Sequence, residues 1–95
     1  QNEDFLKACV RGLVDTDGSI YMAGKWPQIC FKNHNLRLLQ DFRRALIYLG
    51  YYASKATWNK VYISRKFDIQ KFYKEIGFSN SKNARRYLEF FSPVV

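Results

Sequence analysis

Two acids early in the chain sit where a helix would ordinarily favour a base. Leu6, Val10 and Leu13 recur at i, i+4 and i+7, with Phe5, Cys9 and Leu13 as an adjacent stripe. This spacing predicts a helix over 3–14 that Gly18 stops. Asp15 and Asp17 follow at its C-terminal end. The helix dipole places about half a negative charge there, and each carboxylate is disfavoured by about 0.3–1 kcal/mol. Two readings account for the pair. A divalent cation takes hard oxygen ligands and would offset the accumulated negative charge. Alternatively, one aspartate caps a neighbouring backbone or pairs with an arginine. In the same helix Ala8 and Gly12 lie four residues apart, a spacing at which small residues let another backbone come close. The glycine costs the helix about 1 kcal/mol relative to alanine, and close packing would compensate.

The elements that must hold these residues follow in a regular order. Ile20 and Met22, then Ile29 and Phe31, alternate with polar neighbours and predict a hairpin over 19–33 that turns at Ala23-Gly24-Lys25. Its outer face would carry Ser19, Tyr21, Lys25, Gln28, Cys30 and Lys32. Asn33 or Asn35 can cap a helix over 35–49. The core stripe of that helix is Leu39, Phe42, Leu46 and Leu49, and Gly50 ends it. A second hairpin over 51–64 turns near Trp58-Asn59-Lys60. Its first strand would put Ala53, Lys55 and Thr57 outward, and its second would put Val61 and Ile63 inward. Ile69, Phe72, Tyr73 and Ile76 mark a third helix, stopped by Gly77. Asn80 or Ser81 caps a last helix with Ala84, Tyr87, Leu88 and Phe91 inward and Pro93 beyond its end. The order α-ββ-α-ββ-α-α describes an α+β fold, and 95 residues suit one domain.

Charge is concentrated on the middle of this order. Residues 18–67 hold nine Lys and Arg against one acid, Asp41, and so carry the whole formal charge of +8. The other 45 residues balance at seven of each sign. A localised positive field suits a polyanion such as nucleic acid. Aromatics make up 18 % and hydrophobic residues 47 %, which argues against disorder. No run approaches the roughly 18 apolar residues of a membrane span. Cys9 and Cys30 form no disulfide framework and no four-ligand zinc site, so a reducing, intracellular setting is expected. The lone histidine, His34, disfavours a histidine-based metal nuclease, and no stretch fits the signature of an RNA-recognition domain.

The run Val10-Arg11-Gly12-Leu13-Val14-Asp15-Thr16-Asp17-Gly18 resembles the signature of the LAGLIDADG homing endonucleases. Phe5-Leu6 upstream, Ser19-Ile20 downstream, and Ile76-Gly77-Phe78 followed by Ser81-Lys82 are also similar to that family. Arg11 departs from it, standing where the family name has alanine. The resemblance implies one endonuclease domain over 1–95, of αββαββα(α) order, with a four-stranded antiparallel saddle-shaped sheet over DNA. It implies that two such helices pack side by side, and a chain with one motif resembles the homodimeric class. Ala8, Arg11, Gly12 and Asp15 would form that interface. Asp17 and the carbonyl of Thr16 would hold Mg²⁺, with Mn²⁺ or Ca²⁺ as substitutes, while Asp15 caps or braces the helix junction. Lys82 falls where the family often places an active-site lysine; the alternative is an exposed surface lysine or a phosphate contact. Asn33, at the end of the second strand, would complete the site or cap the next helix. The saddle would present Ser19, Tyr21, Lys25, Trp26, Gln28, Cys30 and Lys32, then Lys55, Thr57, Lys60 and Tyr62. Expected partners are double-stranded DNA and a second copy of the chain. The expected activity is cleavage of both strands of a long, near-palindromic site. A non-cleaving binder on the same scaffold, such as an intron-splicing maturase or a regulator, is the alternative.

Overall fold

The computed structural model describes residues 2–91. It is an α+β arrangement of four helices and a three-stranded antiparallel sheet. The elements are α1 (Glu3–Asp17), β1 (Gly18–Ala23), β2 (Trp26–Lys32), α2 (Leu36–Tyr48), β3 (Lys60–Ile63), α3 (Lys66–Glu75) and α4 (Ser81–Phe91). The sheet order is β1-β2-β3. Asn2 starts α1 by accepting from the Phe5 amide, and Asn35, rather than Asn33, caps α2 by accepting from the Leu38 amide. Both satisfy amides that a helix start leaves unpaired. Gly50 and Gly77 follow α2 and α3 with φ of 92° and 82°, a conformation glycine adopts without a Cβ clash. The Pro93 stop expected after α4 lies outside the described residues.

Register sorts the sheet into two faces. Ile20, Ile29 and Ile63 align in one row, and Phe31 and Val61 in the next. All five are buried, with Val10 and Val14 of α1, Leu39, Phe42 and Leu46 of α2, and Ile69 and Phe72 of α3. Phe31 and Phe42 stack with ring centroids 4.1 Å apart. The other face carries the rows Tyr21–Gln28, Ser19–Cys30–Tyr62 and Lys32–Lys60. Alternation of period two does this sorting.

Of the four strands expected from the sequence, three form the sheet among the described residues, and the strand expected over 51–57 is not shown. Residues 51–57 run beside β3 without forming a ladder, because side chains have taken the ladder's partners. The Ser54 hydroxyl accepts from the Tyr62 amide at 2.9 Å, and Arg43 Nε donates to the Ser54 carbonyl at 2.9 Å. Asp68 accepts from the Tyr52 amide. What remains is Ser54 N–H to the Tyr62 carbonyl and a Thr57–Lys60 bridge. Ala53, expected outward, is buried with Tyr51. In α4 the buried residues are Asn83 and Tyr87, whereas Leu88, expected inward, is 52 % exposed.

Candidate metal centre and nucleic-acid interface

The helix predicted over 3–14 runs on to Asp17, so both acids belong to its last turn, which holds no basic residue. Asp17 is exposed at the foot of α1. Its Oδ2 accepts from Asn33 Nδ2 at 3.0 Å, which joins two of the sequence-selected residues across the start of β1 and the end of β2. Asn33 is itself held, since its Oδ1 accepts from the Asn35 amide at 2.8 Å and its own amide donates to the Asn59 carbonyl at 2.8 Å. The carbonyl of Thr16 lies in the last turn. The following amide that would close a helical bond, that of Ile20, goes instead to Asn83 Oδ1. Asp17 therefore sits beside a carbonyl released from the helix ladder, at the negative end of the dipole. Such hard oxygen donors fit a divalent cation of the Mg²⁺ type. Among the described residues no cluster of three His, Cys, Asp or Glu could hold a metal within one chain.

Asp15 turns the other way. Its Oδ1 accepts from the Ser79 and Asn80 amides, both at 3.0 Å, and Asn80 Nδ2 returns a bond to the Asp15 carbonyl. Asn80 Oδ1 then caps α4 through the Lys82 and Asn83 amides. Arg11 donates to the Ile76 carbonyl at 3.0 Å. Arg11 and Asp15, expected at a dimer interface, are thus engaged with their own chain's α3–α4 junction. Lys82 is exposed on the first turn of α4. Its neighbour Asn83, which sequence reasoning missed, is buried and pins the free edge of β1. Asn83 Nδ2 donates to the Gly18 carbonyl and Oδ1 accepts from the Ile20 amide, while Arg86 donates to the Ile20 carbonyl. The available signal was an asparagine four residues before Tyr87 on the same helical stripe.

The outer sheet face is polar and partly ordered before any ligand arrives. Tyr21 Oη donates to Gln28 Oε1 at 2.7 Å, and Gln28 Nε2 donates to Ser64 Oγ at 2.7 Å. Burial pushes the Tyr21 hydroxyl pKa upward, with Cys30 and Tyr62 adding to it, so this phenol stays a donor. Cys30 lies on this face but is only 9 % exposed in the central strand, and it offers a ligand little surface. Burial raises its thiol pKa, while Lys60 and then Lys32 pull it down. Lys25, Trp26, Lys32, Lys55 and Thr57 are exposed, and Ser19, Lys60 and Tyr62 half-buried. His34 is exposed.

On α1 the side away from the core carries Phe5, Ala8, Cys9, Gly12 and Thr16, all exposed. This stripe of mostly small residues ends beside Asp17. A Cβ built on Gly12 would meet nothing within 4 Å, so the chain's own packing does not require glycine there.

Residues 4–77 match the LAGLIDADG-like domain family. The match takes in every element from α1 through α3, and the chain belongs to this family. Its proteins are generally nucleases, they bind DNA, and they often dimerise. Lys82 and Asn83 lie beyond the matched stretch. No curated protein and no solved structure matches the chain. No helix among the described residues is long and apolar enough to cross a membrane.

Proposed function

We propose that the chain is one protomer of a homodimeric, divalent-metal-dependent homing endonuclease that cuts both strands of a long, near-palindromic DNA site. The observation that carries this reading is the Asp17–Asn33 contact. It sets an oriented carboxylate at the foot of a helix whose outer stripe is mostly small, beside a polar sheet face that carries Gln28, Lys32 and Lys60. Packing two α1 stripes against each other is isologous and brings the two Asp17 carboxylates together across the two-fold axis. Such a shared site needs only one carboxylate from each chain.

Asp17 and the Thr16 carbonyl would hold Mg²⁺, which when bound supplies an activated water and charge stabilisation at the leaving oxygen. The chain's own residues do the rest. Asn33 fixes the rotation of the Asp17 carboxylate. Lys82 offers an ammonium to charge building on the phosphoryl oxygens. Gln28, its amide held by Tyr21 and Ser64, faces base edges, where a glutamine pairs bidentately with adenine. Lysines on the sheet rim take phosphates, which sets register without reading sequence.

Asp17→Asn tests the assignment. It keeps a hydrogen-bonding partner for Asn33 but removes the charge. Expected is loss of Mg²⁺-dependent cleavage of a plasmid carrying the uninterrupted host locus, with duplex binding largely retained. Undiminished cleavage would remove Asp17 from the mechanism. Intact DNA with the wild type, together with tight RNA binding, would favour the maturase-like role.

A further inference from the structure

The loop between residues 57 and 60 holds a residue that the fold does not need. Thr57 and Lys60 exchange both backbone hydrogen bonds at 3.0 Å, leaving Trp58-Asn59 as a two-residue loop. Trp58 opens it at φ 56°, and among the described residues no other non-glycine has a positive φ. Glycine or asparagine is the ordinary occupant of such a position, and a bulky side chain there is strained. The indole gains no packing in return, being 92 % exposed. Strain held without local benefit is the pattern of a residue kept for a ligand.

Its surroundings identify the ligand. Trp58 shares an open groove with Lys32, Thr57, Asn59, Lys60 and Tyr62. Lys32, Lys60 and Tyr62 belong to the outer sheet face. Two lysines share this groove with the aromatic plane, a combination that suits a stacked base and its neighbouring phosphates. The Asn59 carbonyl accepts from the amide of Asn33, whose side chain holds Asp17. The loop is therefore tied directly to the end of the sheet where the carboxylate lies.

We propose that Trp58 is a stacking wedge, entering duplex DNA at a base step beside the Asp17 end of the sheet. This rests on the DNA-binding reading above and adds to it a contact that holds the duplex locally unstacked. Because every base has a π-face, the wedge favours flexible or broken steps over any particular sequence.

The test uses the full chain carrying Trp26→Phe, which leaves Trp58 as the sole tryptophan of the two in the sequence. Binding of labelled duplexes of random sequence, intact or with a central single-nucleotide gap, is read by anisotropy while indole fluorescence is followed. Expected are quenching of Trp58, its shielding from acrylamide, and tighter binding of the gapped duplex. Adding Trp58→Ala should weaken binding roughly five- to hundredfold and abolish the preference for the gap. Adding Trp58→Gly should weaken binding equally while raising the unfolding midpoint, and Trp58→Phe should restore part of the affinity. Duplex binding with an unquenched Trp58, or with unchanged affinity in the alanine variant, would overturn the wedge and leave DNA binding standing. A glycine variant that lost stability along with affinity would assign Trp58 a structural role and also overturn it. Absence of duplex binding by the wild-type chain at low salt would refute the DNA-binding reading, and the wedge with it.

Discussion

Tyr51 shows how far a single hydroxyl can be set against its own ionisation. Burial pushes its pKa well above the ordinary phenol value near 10, and three further causes add to this: the charge of Glu75, the hydrogen bond to Glu75 Oε1, and the charge of Asp68. Lys71 stands over the same ring at 4.4 Å and also donates to the carbonyls of Leu49 and Gly50. The folded state holds the phenolic proton more tightly than the unfolded chain does. The associated stability is therefore complete below about pH 10, where the unfolded chain begins to ionise, and is lost as pH rises towards the folded value. Wild-type protein should show a urea midpoint that falls as pH rises past about 10. Tyr51→Phe should fall less steeply, keeping only the slope due to groups common to both proteins, among them Tyr21 and Tyr87. Parallel curves for the two would show that Tyr51 does not carry the linkage. Asp17 contrasts with this buried cluster. It is exposed, and Asn33 is its one described hydrogen-bond partner, so it is oriented while remaining open to a ligand.

Helix α1 serves two surfaces with one sequence. Val10 and Val14 face the core, while Ala8, Cys9 and Gly12 face out. Gly12→Leu separates the two roles. In the isolated chain a Cβ at this exposed position meets nothing within 4 Å, and leucine should stabilise the helix by somewhat under 1 kcal/mol. In a dimer packed through this stripe it would block close approach. Sedimentation should give a well-folded monomer for Gly12→Leu and a dimer for the parent, whereas an unchanged dimer would move the interface elsewhere. Elements with strong apolar periodicity were readable in this way from sequence, as the Leu39, Phe42 and Leu46 stripe of α2 and the alternation in β1 and β2 show. The fourth strand was not, because alternation over 51–57 is weak and the outcome turned on partners distant in sequence. Arg43, Tyr62 and Asp68 supply or receive the bonds that replace its ladder. Of the candidate site, Asp17 and Asn33 were selected through the family resemblance, and the structure brings the two into contact. Asp15 was read as capping a neighbouring backbone or bracing the helix junction, and it accepts from the Ser79 and Asn80 amides. The direction of Arg11 was not legible, since it depends on where the α3–α4 junction lands. Asn83 was hidden for the same reason, because its role exists only once α4 meets the edge of β1.

Charge and shape now coincide over the whole molecule. The segment that carries the net +8 comprises the sheet, α2 and the Trp58 loop, and it supplies the lysines of the outer face. The balanced remainder is built into α1, most of α3 and α4. Ion pairs among the described residues lie within helices, as in Lys7–Glu3, Arg44–Asp41 and Lys71–Glu75, and none of them draws on Lys32 or Lys60. These two are opposite each other in the β2–β3 register, and like charges so placed are destabilising without a counter-charge. A phosphate backbone supplies one. Each phosphate neutralised releases counterions and steepens the salt dependence of binding by about 0.9 in log–log slope. Duplex binding by the parent should therefore weaken steeply with salt. Lys32→Ala combined with Lys60→Ala should flatten that slope by nearly 2 per protomer in contact. Lys74→Ala, on α3 and away from the outer sheet face, should leave it unchanged. A parent slope near zero would contradict extensive phosphate contact. Equal flattening by Lys74→Ala would mean that the helical side, and not the sheet, meets the polyanion.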